Sequence, residues 1–83
     1  MVISIKVTCY AGYRGEQEPQ AFELGGNTVT VQSIQDRWLS PDYRYFKILD
    51  GDGCQYIIRH DENTQAWELV YYQHPDAREK TDR

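Results

Sequence analysis

No apolar run in this chain approaches the ~18 residues that a membrane-spanning helix needs. The opening segment, MVISIKVTCY, alternates too regularly and stops too soon to be the apolar region of a signal peptide. Cysteine is scarce, with Cys9 and Cys54 the whole complement. The sequence has neither C-x-x-C nor H-x-x-x-H spacing, so Cys9, Cys54, His60 and His74 would hold a metal only if the fold gathered them. The chain reads as cytoplasmic with both thiols reduced, although a single disulfide stays open at this stage. An excess of positive charge is also missing: nine Lys and Arg face thirteen Asp and Glu, for a net charge of −4. That balance excludes a protein that coats nucleic acid through its overall field. Finally, no segment combines helix length with helix period.

What is present suits one small β domain. Eighty-three residues with 40% apolar content supply a single core. A chain of this size buries only about 60–65% of the surface that it exposes when unfolded, so its stability should be modest. Aromatic residues are plentiful, with seven tyrosines and two tryptophans. Charge is unevenly spread. Glu16, Glu18, Asp42, Asp50, Asp52, Asp61 and Glu62 fall in expected loops, whereas Lys6, Arg37, Arg44, Lys47 and Arg59 fall in expected strands. The loops are acidic and the sheet mildly basic, a pattern that ordinary solubilising charge also produces.

Period two runs through almost the whole chain. Ile3, Ile5, Val7 and Cys9 alternate with Ser4, Lys6 and Thr8. Phe22 and Leu24 begin a shorter strand that ends at Gly25-Gly26-Asn27, residues that accept positive φ in a tight turn. In TVTVQSIQDRWL, Val29 and Val31 share a face, but Ile34 and Trp38 fall one residue out of register. A bulge near Gln32 and Ser33 would restore it, and a helical turn is the alternative. YRYFKILD, then GDG, then CQYIIRH reads as a hairpin, and AWELVYY as the last strand. Ile5, Val7, Phe22, Val31, Trp38, Phe46, Ile48, Ile58, Trp67 and Leu69 are the expected core.

The expected architecture is therefore all-β: a single antiparallel meander of about six strands over residues 1–73, curled into a partly open, SH3-like barrel. Residues 74–83 have no apolar periodicity and should form a frayed polar tail.

Four stretches invite chemistry. CYAGYRGEQEPQAF carries Gly12 and Gly15 around Arg14, but it leads into Pro19 and a strand rather than a helix. It also lacks the lysine and Ser/Thr of a phosphate loop, so it reads as a wide bend between strands with Tyr10 and Tyr13 packing it down. DGDG, from Asp50 to Gly53, fails as a calcium loop, because the register that fits it puts Ile48 and Arg59 where ligands are required. RHDE joins His60 to Asp61, yet neighbours on a strand face opposite ways and no nucleophile is placed beside them. It reads as a solvated strand end. Tyr43, Arg44, Tyr45, Lys47, Arg59 and Tyr72 interleave rings and cations on neighbouring strands. Single-strand nucleic-acid binders use that combination, and cross-strand packing in any small sheet uses it too.

The segments YAGYRGEQEPQAF, VTVQSIQDRW, YRYFKI, DGCQYIIRHD and WELV together resemble a family of small uncharacterised bacterial proteins. More distantly, the chain is similar to a domain of unknown function appended to Y-family-polymerase-like proteins in actinobacteria. That similarity rests on the aromatic-glycine, Val-x-x-Ile-x-x-x-Trp and Trp-x-Leu features, and the resemblance spans roughly residues 7–70. It carries no catalytic residue. It implies only an association with DNA-damage tolerance.

The sequence thus points to a non-enzymatic binding module with no catalytic residue, metal, other cofactor or membrane partner. Its expected surface is Tyr43, Arg44, Tyr45, Lys47 and Arg59. Its expected partner is a protein, or a second copy of the chain, held by a sheet edge or the aromatic surface. Single-stranded nucleic acid is the alternative partner.

Overall fold

The structure is a computed structural model that describes residues 2–11 and 17–74. Six strands follow one another: β1 (Ile3–Ala11), β2 (Gln17–Leu24), β3 (Asn27–Leu39), β4 (Tyr43–Asp50), β5 (Gln55–Asp61) and β6 (Trp67–Gln73). Each pairs antiparallel with the next, and β1 pairs with β6 to close a barrel. Six antiparallel strands in a small barrel are therefore as the alternation predicted. The closing seam is short, with three residue pairs from Ile3–Leu69 to Ile5–Trp67.

Two long strands serve both sides of the barrel. β1 pairs with β6 at its start and with β2 from Lys6 onward. β3 pairs with β2 as far as Thr30 and with β4 from Val31 to Leu39. Pro19 has no N–H to offer a ladder, and it lies just beyond Ala21, where the β2–β3 pairing stops.

The turns follow their residues. Leu24 pairs with Asn27 across a two-residue turn in which Gly25 and Gly26 have φ of 58° and 84°. Positive φ at both central positions marks the hairpin turn whose twist matches the strands. At the β4–β5 turn Gly53 has φ of 88°, and Asp50 Oδ1 accepts hydrogen bonds from the N–H groups of Asp52 (2.8 Å) and Cys54 (2.9 Å). The aspartate is the staple of this turn.

Alternation on β4, β5 and β6 sends Phe46, Ile48, Tyr56, Ile58, Trp67 and Leu69 into the barrel, where they meet Ile5, Phe22 and Cys54. Phe22, Phe46, Ile48 and Ile58 are almost fully buried. Each contributes about 1.5–3 kcal/mol relative to an exposed position. Val7 and Val31 pack against this core only partly buried.

Trp38 departs from expectation, since it is 39% exposed and outside the core. The segment is strand throughout, without a helical turn, and it carries two register shifts, one between Val31 and Ser33 and a second between Ile34 and Asp36. The first bulge brings Ile34 inward, as expected. The second reverses the alternation again, turning Arg37 toward the barrel side opposite Phe46 and Trp38 outward opposite Tyr45.

The bend at Gly12 to Glu16 and the tail from residue 75 lie outside the described residues.

Candidate functional site

The outer face of the sheet carries one straight row across four strands. Trp38 on β3 is opposite Tyr45 on β4, Tyr45 is opposite Arg59 on β5, and Arg59 is opposite Glu68 on β6. Cross-strand neighbours on one face are close enough to interact, and every pair in this row does. The Trp38 and Tyr45 rings stack with centroids 5.3 Å apart and planes 3° apart. Arg59 Nη1 donates to the Tyr45 hydroxyl at 3.4 Å, and Arg59 Nε donates to Glu68 Oε1 at 2.7 Å.

Arg59 is held on a further side. Its guanidinium lies over the Tyr43 ring, 4.1 Å from the centroid. The hydrogen bond to Glu68, followed by the one to Tyr45, raises its pKa above the ordinary arginine value, so it keeps its charge. Three partners thus fix the orientation of the guanidinium.

The five residues singled out from the sequence do not form one patch. Tyr43, Tyr45 and Arg59 meet on the outer face, and alternation puts Lys47 on that face as well. Arg44 turns to the other side with Phe46, over whose ring it lies at 5.8 Å, and its Nε is 3.7 Å from Glu62 Oε2. Trp38 takes its place on the outer face. The sequence signal for it was the aromatic residue itself, but without the second bulge its direction could not be read.

Among the described residues, the rim beside this row carries no second strand: β3 beyond Thr30 pairs on one side only, with β4. An ion pair of 2.9 Å between Arg37 and Glu18 of β2 crosses the other side, with both side chains about half exposed. Arg37, Trp38, Leu39, Arg44, Tyr45 and Phe46 line a shallow groove of about 240 Å³ at this rim. Leu39 is 74% exposed within it. The groove takes in both faces of the sheet, Arg37 and Arg44 from the barrel side and Trp38 and Tyr45 from the outer side.

The remaining candidates lie away from this row. His60 is buried with its ring 4.6 Å from that of Trp67, while Arg59 faces outward, so RHDE is not uniformly solvated. Asp61 Oδ1 accepts from the N–H groups of Asn63 and Thr64 and shapes the next turn; these bonds lower its pKa. Cys9 and Cys54 are free thiols. Burial raises the pKa of each, and the Asp50 charge raises that of Cys54 further. Neither thiol has the lowered pKa of an activated nucleophile. Among the described residues, no three His, Cys, Asp or Glu side chains gather into a metal-binding group.

Comparison with family models, curated proteins and solved structures returned no match to this chain.

Proposed function

We propose that the protein is a non-enzymatic binding module that takes an extended segment of a partner protein along the rim of β3. The single observation that carries this reading is the one-sided pairing of residues 31–39, among the described residues, beside an exposed tryptophan. Beyond the second bulge, residues 36–39 run in regular register with β4, and an unpaired edge of that kind presents N–H and C=O groups to which another strand can add. Trp38 and Tyr45 offer rigid aromatic area beside it, of the kind that dominates binding hot spots. Arg59, Tyr43 and Glu68 support that area from behind and keep the Tyr45 ring in place.

A test is selection from a library of random displayed peptides, followed by titration at two salt concentrations. Selected peptides that bind wild-type protein, and bind Trp38→Ala at least tenfold more weakly, support the reading. Peptides that bind both proteins equally contradict it.

A second reading has one specific observation in its favour. Two guanidinium groups, Arg37 and Arg44, line the same groove as two stacked rings. Single-stranded nucleic acid meets such a surface with phosphates on the cations and bases on the rings. That reading agrees with the DNA-damage association implied by the resemblance. It predicts affinity that falls steeply as salt rises.

A further inference from the structure

We infer that the segment accepted by the β3 rim is a peptide in which acidic residues alternate with aromatic or large apolar ones. This inference rests on the edge-pairing reading above and adds the chemistry of the partner.

The two faces of the rim differ in chemistry. Leu39 is opposite Arg44, and Arg37 is opposite Phe46, so Arg37, Leu39 and Arg44 share the barrel-side face. Trp38 is opposite Tyr45 on the outer face. Among the described residues that line the groove, the charged ones are Arg37 and Arg44, and the acids paired with them, Glu18 and Glu62, lie outside the lining. A strand added to this rim would obey the same period of two and send successive side chains to opposite faces. One set of its side chains would meet Arg37 and Leu39 on β3, with the Arg44 guanidinium behind Leu39 on β4 and lining the same groove. The other set would meet the stacked rings. Carboxylates match the first face, because an arginine fork binds them with charge-assisted hydrogen bonds. Aromatic or branched apolar side chains match the second.

The acids that already touch these arginines do not close the face. The Arg37–Glu18 pair is half exposed on both sides, and Arg44 and Glu62 stand 3.7 Å apart. Exposed pairs of this kind contribute little, so an incoming carboxylate can share or replace them.

The probes are acetylated, amidated nine-residue peptides made of glutamate and tyrosine. In one they alternate. In a second, of identical composition, the glutamates form one block and the tyrosines another. A third replaces each glutamate of the alternating peptide by glutamine, and ten-nucleotide oligothymidine is the fourth probe. Binding to wild-type protein is measured by titration calorimetry, and to Arg37→Gln and Arg44→Gln variants whose fold is checked by circular dichroism. The alternating acidic peptide should bind at least about tenfold more tightly than its block isomer and than the glutamine peptide. Each arginine variant should lose most of the preference for glutamate over glutamine while still binding the glutamine peptide. If glutamate and glutamine peptides bind alike at β3, the charge inference is overturned and the edge reading stands. If no peptide engages β3, both are overturned. Oligothymidine binding more tightly than every peptide would overturn the inference in favour of nucleic acid.

Discussion

The Trp38 ring lies parallel to that of Tyr45, 5.3 Å away, on the solvent side of the barrel rather than inside it. The two tryptophans of this chain therefore have different jobs. Trp67 is buried against Phe46 and His60, whereas Trp38 covers one tyrosine at the rim of β3. Trp67→Ala should cost about 3–5 kcal/mol through lost burial and the cavity left behind. Trp38→Ala should cost about 1–2 kcal/mol, the scale of a surface aromatic pair and its area. Urea unfolding of both variants checks the assignment. Equal losses would mean that Trp38 belongs to the core.

The staple at the β4–β5 turn should give stability a defined pH dependence. Burial works against the Asp50 carboxylate, but hydrogen bonds from the Cys54 N–H, the Tyr56 hydroxyl and the Asp52 N–H outweigh it, and its pKa falls below the ordinary 3.8. A depressed acid stabilises the fold fully above its unfolded value, and the contribution disappears as pH falls through the folded one. Asp50→Asn should thus cost about 1–2 kcal/mol at neutral pH. The gap to wild type should narrow once pH drops below about 3.8. A gap independent of pH would contradict the assignment.

Tyr56 is the alkaline counterpart. Burial first, and the 2.9 Å hydrogen bond to Asp50 second, raise its pKa well above the ordinary 10.0. Its contribution is complete below that value and is lost as pH rises through the raised one. Tyr56→Phe should remove part of the alkaline loss of stability, measured by denaturant unfolding on either side of pH 10.0. An alkaline loss identical in both proteins would place the titration elsewhere.

Gly25 has φ of 58°, and a Cβ added there would meet nothing within 4 Å. Asparagine tolerates this left-handed conformation better than other side chains and narrows the unfolded ensemble. Gly25→Asn should stabilise the protein by about 0.5 kcal/mol. Gly25→Val, with a branched Cβ in the same conformation, should destabilise it by about 1–3 kcal/mol. A reversed order in thermal unfolding would show that the turn differs from the one described.

Much of this was legible in the sequence. The β4–β5 hairpin was readable because its alternation is uninterrupted and GDG supplies a sharp turn between the two strands. The β2–β3 turn was readable because two glycines and an asparagine leave few alternatives. Trp38 was not readable, because its direction depends on the number of bulges in β3. One bulge sends it inward and two send it outward, and a bulge has no residue signature strong enough to count. The side on which Arg44 lies was hidden for a related reason. Arg44 neighbours Tyr43 and Tyr45 in sequence, and strand geometry separates neighbours onto opposite faces. The burial of Tyr56 was hidden by its hydroxyl, which satisfies itself on Asp50. The rim itself depends on where the β2–β3 pairing stops, a long-range property that no local pattern records.

The most direct test of the account is amide hydrogen exchange across β3, with and without the alternating acidic peptide. In the free protein, the amides of residues 32–39 that do not face β4 should exchange rapidly: alternate ones over 36–39, where the pairing is uninterrupted, and those left over at the two bulges. Peptide binding should slow those amides at least tenfold and leave their neighbours little changed. Protection confined to other strands, or binding that leaves residues 32–39 exchanging as before, would contradict the claim that the rim of β3 is the binding site.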